Sequence, residues 1–251
     1  MKECLEVIGR LRSDYTYQNI FSVMCSVSGR IASEHMNDQG QIVKRTYGEM
    51  KELVSGTANS LAKQEGFQKG TYAGLWMDNS PDWIVVFWAM LKAGLQPLLL
   101  DARAEQPTVE YLLQQAGATM LVTDREERVP GCLTLFGPEL VRQKREIVRD
   151  WADRVALCTS GTTGANRIFV YDGKAMTSQV CNAEHIIKQN EDILYDASNG
   201  ELKQLAFLPF HHIFGFVAVY LWYATFGKTM VFLRDRNPKT ILEACRKHEV
   251  T

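Results

Sequence analysis

The chain has 251 residues, enough for one large domain or two small ones, and 46% of them are hydrophobic and 23% charged. Its 28 basic and 29 acidic residues give a net charge of -1, which gives no overall basic field for nucleic acid or for a membrane surface and leaves a local basic patch open.

Residues 1–37 are predicted to be helical because apolar side chains recur there at helical spacing. A short strand is predicted at Ile42–Arg45. Thr46 is expected to cap the next helix, which runs to about Lys63, because Glu49 follows three residues later in a capping-box arrangement.

From Gly70 onward, predicted strands alternate with helices, which favours a mostly parallel sheet covered on both faces. The predicted strands are Tyr72–Met77, Leu95–Leu100, Thr119–Thr123, Val155–Cys158, Arg167–Tyr171, Leu205–Leu208 and Thr229–Leu233. The predicted helices are Trp83–Leu91, Thr108–Gln115, Ala175–Gln189, a buried helix within Ile213–Phe226, and Pro238–Lys247. The polar interval 125–153 is expected to be a solvated connector with a surface helix. The pattern predicts an α/β fold of mostly parallel sheets layered with helices.

The six cysteines form no Cys-x-x-Cys pair, so neither a structural zinc site nor a disulfide framework is expected. We expect reduced, mostly buried thiols in a cytoplasmic protein. The charged residues of the N-terminus argue against a signal peptide, and Ile213–Phe226 is shorter than the roughly 20 apolar residues that span a bilayer.

A loop rich in hydroxyl groups and glycine separates two of the predicted strands. Its residues are Thr159, Ser160, Gly161, Thr162, Thr163 and Gly164. The glycines let the main chain approach a ligand, and successive N–H groups and hydroxyls can converge on an anion. Arg167 adds a cation suited to phosphate, but no lysine follows the second glycine, which disfavours a Walker-type nucleotide site. The loop alone fits an anion-binding turn and a ligand-free hairpin equally well.

Residues Leu157–Gly164 resemble the phosphate-loop signature of the AMP-forming acyl- and aryl-CoA ligase superfamily. That superfamily includes acyl-CoA synthetases, firefly luciferase and the adenylation domains of peptide synthetases. Further segments are similar to its motifs and occur in its order, so that the resemblance covers about residues 42–251. These segments are Thr46–Glu49, Asp78–Pro81, Leu91–Gly94, Leu99–Asp101, Leu121–Asp124 and Leu208–Gly215.

The resemblance implies a two-step reaction. A carboxylic acid attacks the α-phosphate of ATP–Mg²⁺ to give an acyl-adenylate, and a thiol of CoA or of a carrier protein's pantetheine then takes the acyl group. By resemblance, the loop and Arg167 bind the phosphates, Thr159 helps to ligate Mg²⁺, and His212 lies beside the acyl pocket and the phosphates. His211, at an aromatic position of most members, fits a structural or a ligand-contacting role. The apolar helix after Phe214 suggests a fatty or aryl acid, although a stripe of this kind is far more often part of the core than of a pocket wall.

Two departures from the family pattern follow the loop. Asn166, Arg167 and Ile168 stand where Pro-Lys-Gly is usual, and Asp172-Gly173 replaces a usual Thr/Ser-His pair. Arginine keeps the positive charge of lysine but differs in geometry and hydration. The sequence therefore indicates a divergent member.

The resemblance also implies that the Mg²⁺-binding glutamate, the ribose-binding aspartate and the lysine of a C-terminal domain lie downstream of Thr251. We therefore expect an incomplete N-terminal domain that is inactive alone, with 1–69 and 203–251 in one subdomain and 70–202 in another. An unpaired edge of the incomplete sheet would favour self-association. The alternative is a naturally short module that binds a nucleotide or a partner without catalysis.

Overall fold

The computed structural model describes residues 2–141, 150–160, 166–189 and 202–250, which form helices and two sheets. The α-helices are α1 (Lys2–Leu11), α2 (Tyr17–Met24), α3 (Tyr47–Ala62), α4 (Pro81–Ala93), α5 (Gln106–Ala116), α6 (Gly137–Leu140), α7 (Gly173–Gln189), α8 (Trp222–Thr225) and α9 (Pro238–Lys247). A π-helix at Gly215–Leu221 precedes α8. The strands are β1 (Ile31–Met36), β2 (Ile42–Thr46), β3 (Tyr72–Trp76), β4 (Gln96–Leu99), β5 (Met120–Thr123), β6 (Leu133–Phe136), β7 (Arg154–Ser160), β8 (Asn166–Asp172), β9 (Lys203–Leu205) and β10 (Thr229–Phe232).

One compact unit consists of Met1–Met50, Gly173–Leu208 and Phe214–Thr251. Its four-stranded sheet has the order β2-β1-β10-β9, with β10 parallel to both neighbours and β2 antiparallel to β1. All four residues of β10 are buried, as expected for a central strand covered on both faces.

The second compact unit consists of Lys51–Asp172 and Pro209–Ile213. Its six-stranded sheet has the order β6-β5-β3-β4-β7-β8, and only the edge pair β7–β8 is antiparallel among these described strands. Helix α4 is buried almost all round, begins with a hydrogen bond from the Trp83 N–H to Ser80 Oγ at 3.0 Å, and ends at Gly94 with φ of 91°. A serine cap, a proline in the first turn and a left-handed glycine are the expected boundaries of a helix.

The expected α/β class with mostly parallel sheets is confirmed. The capping box is also present, because the Thr46 N–H donates to Glu49 Oε2 at 2.8 Å and the Glu49 N–H donates to Thr46 Oγ1 at 3.1 Å. Both orphan donors at the start of α3 are thereby satisfied.

Several expected elements differ from those observed. Residues 31–36 are not helical, because they pair as β1 with β2 and with β10. The polar interval 125–153 contains β6, which pairs with β5, and α6. The strand expected at Leu205–Leu208 lies instead at Lys203–Leu205 and pairs with β10.

The expected division at residues 69/70 and 202/203 also differs from the observed units. Residues 51–69 lie in the second unit, and residues from Gly173 lie in the first. The sheets themselves do separate β1, β2, β9 and β10 from the strands between Tyr72 and Asp172.

Across the described ranges, every helix is too short or too polar to cross a bilayer. Three of the six cysteines, Cys4, Cys25 and Cys181, are buried, and Cys132, Cys158 and Cys245 are half-buried.

Candidate functional site

One edge of the six-stranded sheet gathers polar residues from several strands. The carboxyl ends of the parallel strands β3, β4, β5 and β7 meet there, and antiparallel β8 begins there. The residues that follow these ends include Asp78, Asp101 and Asp124. Ligands of open α/β sheets bind outside the carboxyl ends of the strands, so this edge is the candidate site.

Thr159 and Arg167 form a cross-strand pair at this edge. They are register partners in β7–β8, and both side chains are exposed. The preceding register pair, Cys158 and Ile168, packs against the hydrophobic core of the unit. Since side chains alternate along a strand, Thr159 and Arg167 share the opposite face, where directly opposite Cβ atoms lie about 5 Å apart.

The predicted phosphate loop connects these two strands. Ser160 is the last residue of β7 and Asn166 the first of β8. Gly161, Thr162, Thr163 and Gly164 lie outside the described residues. The described ends of β7 and β8 lie at the carboxyl edge of the sheet.

Strand register also relates the start of the loop to Asp101. Leu99 of β4 pairs in parallel with Leu157 of β7. Two residues further along each strand direction stand Asp101 and Thr159. Asp101 and Thr159 therefore place a carboxylate and a hydroxyl residue at neighbouring positions on the carboxyl edge of the sheet.

The segment Pro209–Ile213 is anchored to the same unit by Phe210. This side chain has no exposed surface, and its ring meets Trp83 edge-on at 5.1 Å between centroids. The Phe210 N–H donates to Asn79 Oδ1 at 3.1 Å, just beyond β3. These contacts fix the backbone that carries the next two residues.

His211 and His212 form a tilted ring pair beside Asp101. The His211 Nε2 atom lies 3.5 Å from Asp101 Oδ1, and the side chains are 11% and 45% exposed. The two imidazole centroids are 4.1 Å apart with an angle of 51° between the rings. His212 is exposed, so it can meet a ligand, whereas His211 is half-buried.

Asp101 is held on both its backbone and its side chain. The buried Trp76 indole N–H donates to the Asp101 carbonyl at 3.0 Å, and the Arg103 N–H donates to Asp101 Oδ1 at 2.8 Å. The Arg125 guanidinium lies 4.8 Å from the centre of the Trp76 ring and donates to the Ala102 carbonyl. A cation over an indole face is attractive, so this cluster rigidifies the turn after β4.

A second aspartate at the edge has a shifted pKa. Burial raises the pKa of Asp124, and the nearby Asp78 carboxylate raises it further. The Asp78 N–H donates to Asp124 Oδ2 at 3.0 Å and opposes the shift. This interaction links the residues that follow β3 and β5.

The exposed hydroxyl of Thr159 is the kind of hard oxygen ligand that Mg²⁺ accepts. In the described parts of the chain, no three His, Cys, Asp or Glu side chains are grouped to hold a metal ion. Mg²⁺ is commonly held by one or two protein groups together with substrate phosphates and waters.

A cavity of about 390 Å³ lies at the opposite, amino-terminal edge of the same sheet. Its lining residues are Lys69, Gly70, Gly94, Gln96, Trp151, Ala152, Asp153, Arg154 and Asp172. These residues precede or begin β3, β4 and β7 or end β8, so the cavity is separate from the candidate site.

The sequence alone pointed to Thr159, Ser160, Arg167, His211 and His212, and the structure brings the ends of their segments to one edge. The sequence patterns did not indicate Asp101 as a partner of His211, or Asn79 as the anchor of Phe210. The signal that could have identified Asp101 and Asn79 is that both residues follow the ends of buried parallel strands.

Residues 28–251 match the protein family described as AMP-binding enzyme. The chain is 27% identical over 163 residues to bacitracin synthase 1 of Bacillus licheniformis, covering 62% of this chain and 3% of that protein. It is 23% identical over 236 residues to 4-coumarate–CoA ligase 1 of Oryza sativa subsp. japonica, covering 82% of this chain and 41% of that protein.

Among solved structures, o-succinylbenzoate CoA synthetase (MenE) from Bacillus subtilis, in complex with ATP and magnesium ion, matches with a TM-score of 0.73. The sequence identity is 20%, and the match covers 92% of this chain and 61% of that one. The fold is therefore shared, and the chain spans less than two thirds of each of these relatives.

Proposed function

Because the chain belongs to the family of AMP-binding enzymes, we propose that it provides the phosphate-binding region of an ATP-dependent, adenylate-forming carboxylate ligase. The observation that carries this proposal is the Thr159–Arg167 pair at the carboxyl edge of the sheet, at the base of the phosphate loop. The same unit presents His211 and His212.

In the proposed reaction, a carboxylate oxygen of the acid bonds to the α-phosphorus of ATP, and the bond to pyrophosphate breaks. The sulfur of a thiol then bonds to the acyl carbon, AMP leaves, and the thiol proton passes to solvent. We propose a fatty or aryl acid, with CoA or a carrier-protein pantetheine as the thiol. The relative named 4-coumarate–CoA ligase and the solved CoA synthetase support this reaction class.

Each named residue has a role that follows from charge. Phosphoryl transfer requires cations and N–H donors around the leaving pyrophosphate. Arg167 and the backbone and hydroxyl groups of Thr159–Gly164 would bind the β- and γ-phosphates. The Thr159 hydroxyl would contribute to Mg²⁺, which neutralises phosphate charge when bound. His212 would contact the acid carboxylate or the α-phosphate.

Calorimetric titration of the 251-residue chain with ATP–Mg²⁺ tests nucleotide binding at the loop. We expect the wild type to bind and both Gly161→Ala and Thr162→Val to lose most of the affinity. Thr119→Val is the matched control, because Thr119 is exposed and lies before β5 at the opposite edge. Equal affinity of the wild type and both loop variants would overturn the assignment.

Acid-dependent ATP–pyrophosphate exchange tests the chemistry. We expect no exchange from the 251-residue chain alone and measurable exchange from a longer protein that supplies the downstream groups. Exchange by this chain alone would refute the expected need for those groups. ATP binding without exchange in the longer protein would instead favour the non-catalytic binding module.

A further inference from the structure

Asp101 is held more firmly than an exposed aspartate at a strand end requires. Its carbonyl accepts from the buried Trp76 indole, and its Oδ1 accepts from the Arg103 N–H at 2.8 Å. Arg125 covers the Trp76 ring and binds the adjacent Ala102 carbonyl. The carboxylate therefore has a defined position relative to the sheet.

The oxygen that Arg103 fixes is also the one that faces His211. His211 Nε2 lies 3.5 Å from Asp101 Oδ1, and the His211 side chain is only 11% exposed. The contact is an ion-pair distance and falls short of a hydrogen bond. A carboxylate 3.5 Å from the ring still attracts an N–H, so it favours a proton on Nε2. Asp101 can thus select both the ring orientation and the protonated nitrogen of His211.

His211 in turn limits the motion of His212. The rings lie 4.1 Å apart between centroids, and His212 is otherwise exposed to solvent. Phe210 anchors the backbone that precedes both histidines, so the orientation of the His212 ring depends on the neighbouring His211 ring.

We propose that Asp101 is a positioning residue, which holds His211 with Nε2 protonated and through it holds the His212 ring in one orientation at the phosphate-loop edge. This inference deepens the proposed function and rests on it for the identity of the ligand. The arrangement of Asp101, His211 and His212 is present in the chain without any ligand.

Other charged groups at this edge are engaged differently. Asp78 and Asp124 are joined through the Asp78 N–H, and Arg125 is committed to Trp76 and Ala102. Arg103 contributes its backbone N–H to Asp101. Asp101 lies 3.5 Å from His211, so Asp101→Asn is the test variant and Asp78→Asn is its control.

The test is a ¹H–¹⁵N correlation spectrum of the imidazole groups in the labelled 251-residue chain, with and without ATP–Mg²⁺. We expect a wild-type His211 signature with the proton on Nε2. Asp101→Asn should change the His211 pattern and move the His212 signals, and Asp78→Asn, which removes an exposed carboxylate at the same edge, should leave both unchanged.

His211→Ala, which removes the ring, provides a second variant if Asp101→Asn fails to fold. It should move the His212 signals towards those of a freely rotating, solvated imidazole. Unchanged His211 and His212 signals in a folded Asp101→Asn protein would overturn the inference, whether or not ATP binds. Failure of the wild type to bind ATP, with the expected imidazole changes present, would overturn the proposed function and leave the positioning series established.

Discussion

Thr159 and Arg167 face each other across β7–β8 as exposed register partners, one pair before the strand ends at Ser160 and Asn166. The pair puts a hydroxyl and a guanidinium at the two ends of one short connection. We expect a phosphate bound beyond these strand ends to meet both side chains, since register partners lie side by side.

Arg167→Ala should weaken ATP–Mg²⁺ binding by about ten- to a hundredfold, because a hydrogen bond to a charged group contributes about 1.5–3 kcal/mol. Calorimetry measures the change. Arg154→Ala is the matched control, since Arg154 is an exposed arginine of the same strand pair at the opposite edge, in register with Asp172. Equal losses in the two variants would show that general charge, and not this position, governs affinity.

Thr46→Ala should lower the free energy of unfolding by about 1 kcal/mol, the typical contribution of a helix N-cap. The variant removes the hydroxyl that accepts from the Glu49 N–H at 3.1 Å and donates to Glu49 Oε2 at 2.9 Å. Urea unfolding followed by circular dichroism measures the effect. Thr119→Ala, at an exposed position outside a helix, should change the value by less than about 0.5 kcal/mol.

Local signals of this kind explain which elements were predictable. Helix α4 has a serine cap, an early proline, a terminal glycine and apolar residues all round, so its sequence specifies its boundaries. The capping box at Thr46 is equally local. Both depend on residues within a few positions of one another.

The elements that were mispredicted depend on distant partners. Strand β1, with the sequence Ile-Ala-Ser-Glu-His-Met, pairs with β10 almost 200 residues later, and its buried Glu34 breaks the apolar pattern of a strand. Strand β6 has four residues in a polar interval and exists through its pairing with β5. The Asp101–His211 pair likewise joins two segments that no sequence period relates.

Glu34 predicts a pH dependence of stability. Its side chain is buried, which by itself raises the pKa, but the hydrogen bond with His248 and the charges of Lys203 and Lys44 outweigh burial and lower it below the ordinary value of 4.5. A lowered folded-state pKa means that ionised Glu34 stabilises the fold above pH 4.5 and that this contribution is lost as the pH falls through the folded pKa.

Glu34→Gln should therefore be less stable than the wild type at neutral pH, and the difference should shrink as the pH falls below 4.5. Urea unfolding at a series of pH values measures it. Glu52→Gln, which removes an exposed carboxylate on α3, should leave the neutral-pH stability nearly unchanged. A difference between wild type and Glu34→Gln that is constant with pH would contradict the role given to the ionised group.

Cys158 should react slowly with iodoacetamide in the native protein. Burial raises its pKa to about 11, so roughly one thiol in a thousand is ionised at pH 8. Mass spectrometry after timed alkylation, in native buffer and in urea, measures the ratio of rates. Equal rates in the two conditions would contradict the burial of this thiol next to the phosphate loop.

Two glycine substitutions should change stability in opposite directions. A Cβ atom at Gly74 in β3 would lie 2.7 Å from Leu113 Cδ2 and 2.8 Å from Leu121 Cδ1, so Gly74→Ala overpacks the core and should cost about 1–3 kcal/mol. A Cβ at Gly9 in α1 meets nothing within 4 Å, and Gly9→Ala should stabilise by about 0.5 kcal/mol through helix propensity. Urea unfolding of both variants tests the pair, and a stabilising Gly74→Ala would mean that the leucines yield without strain.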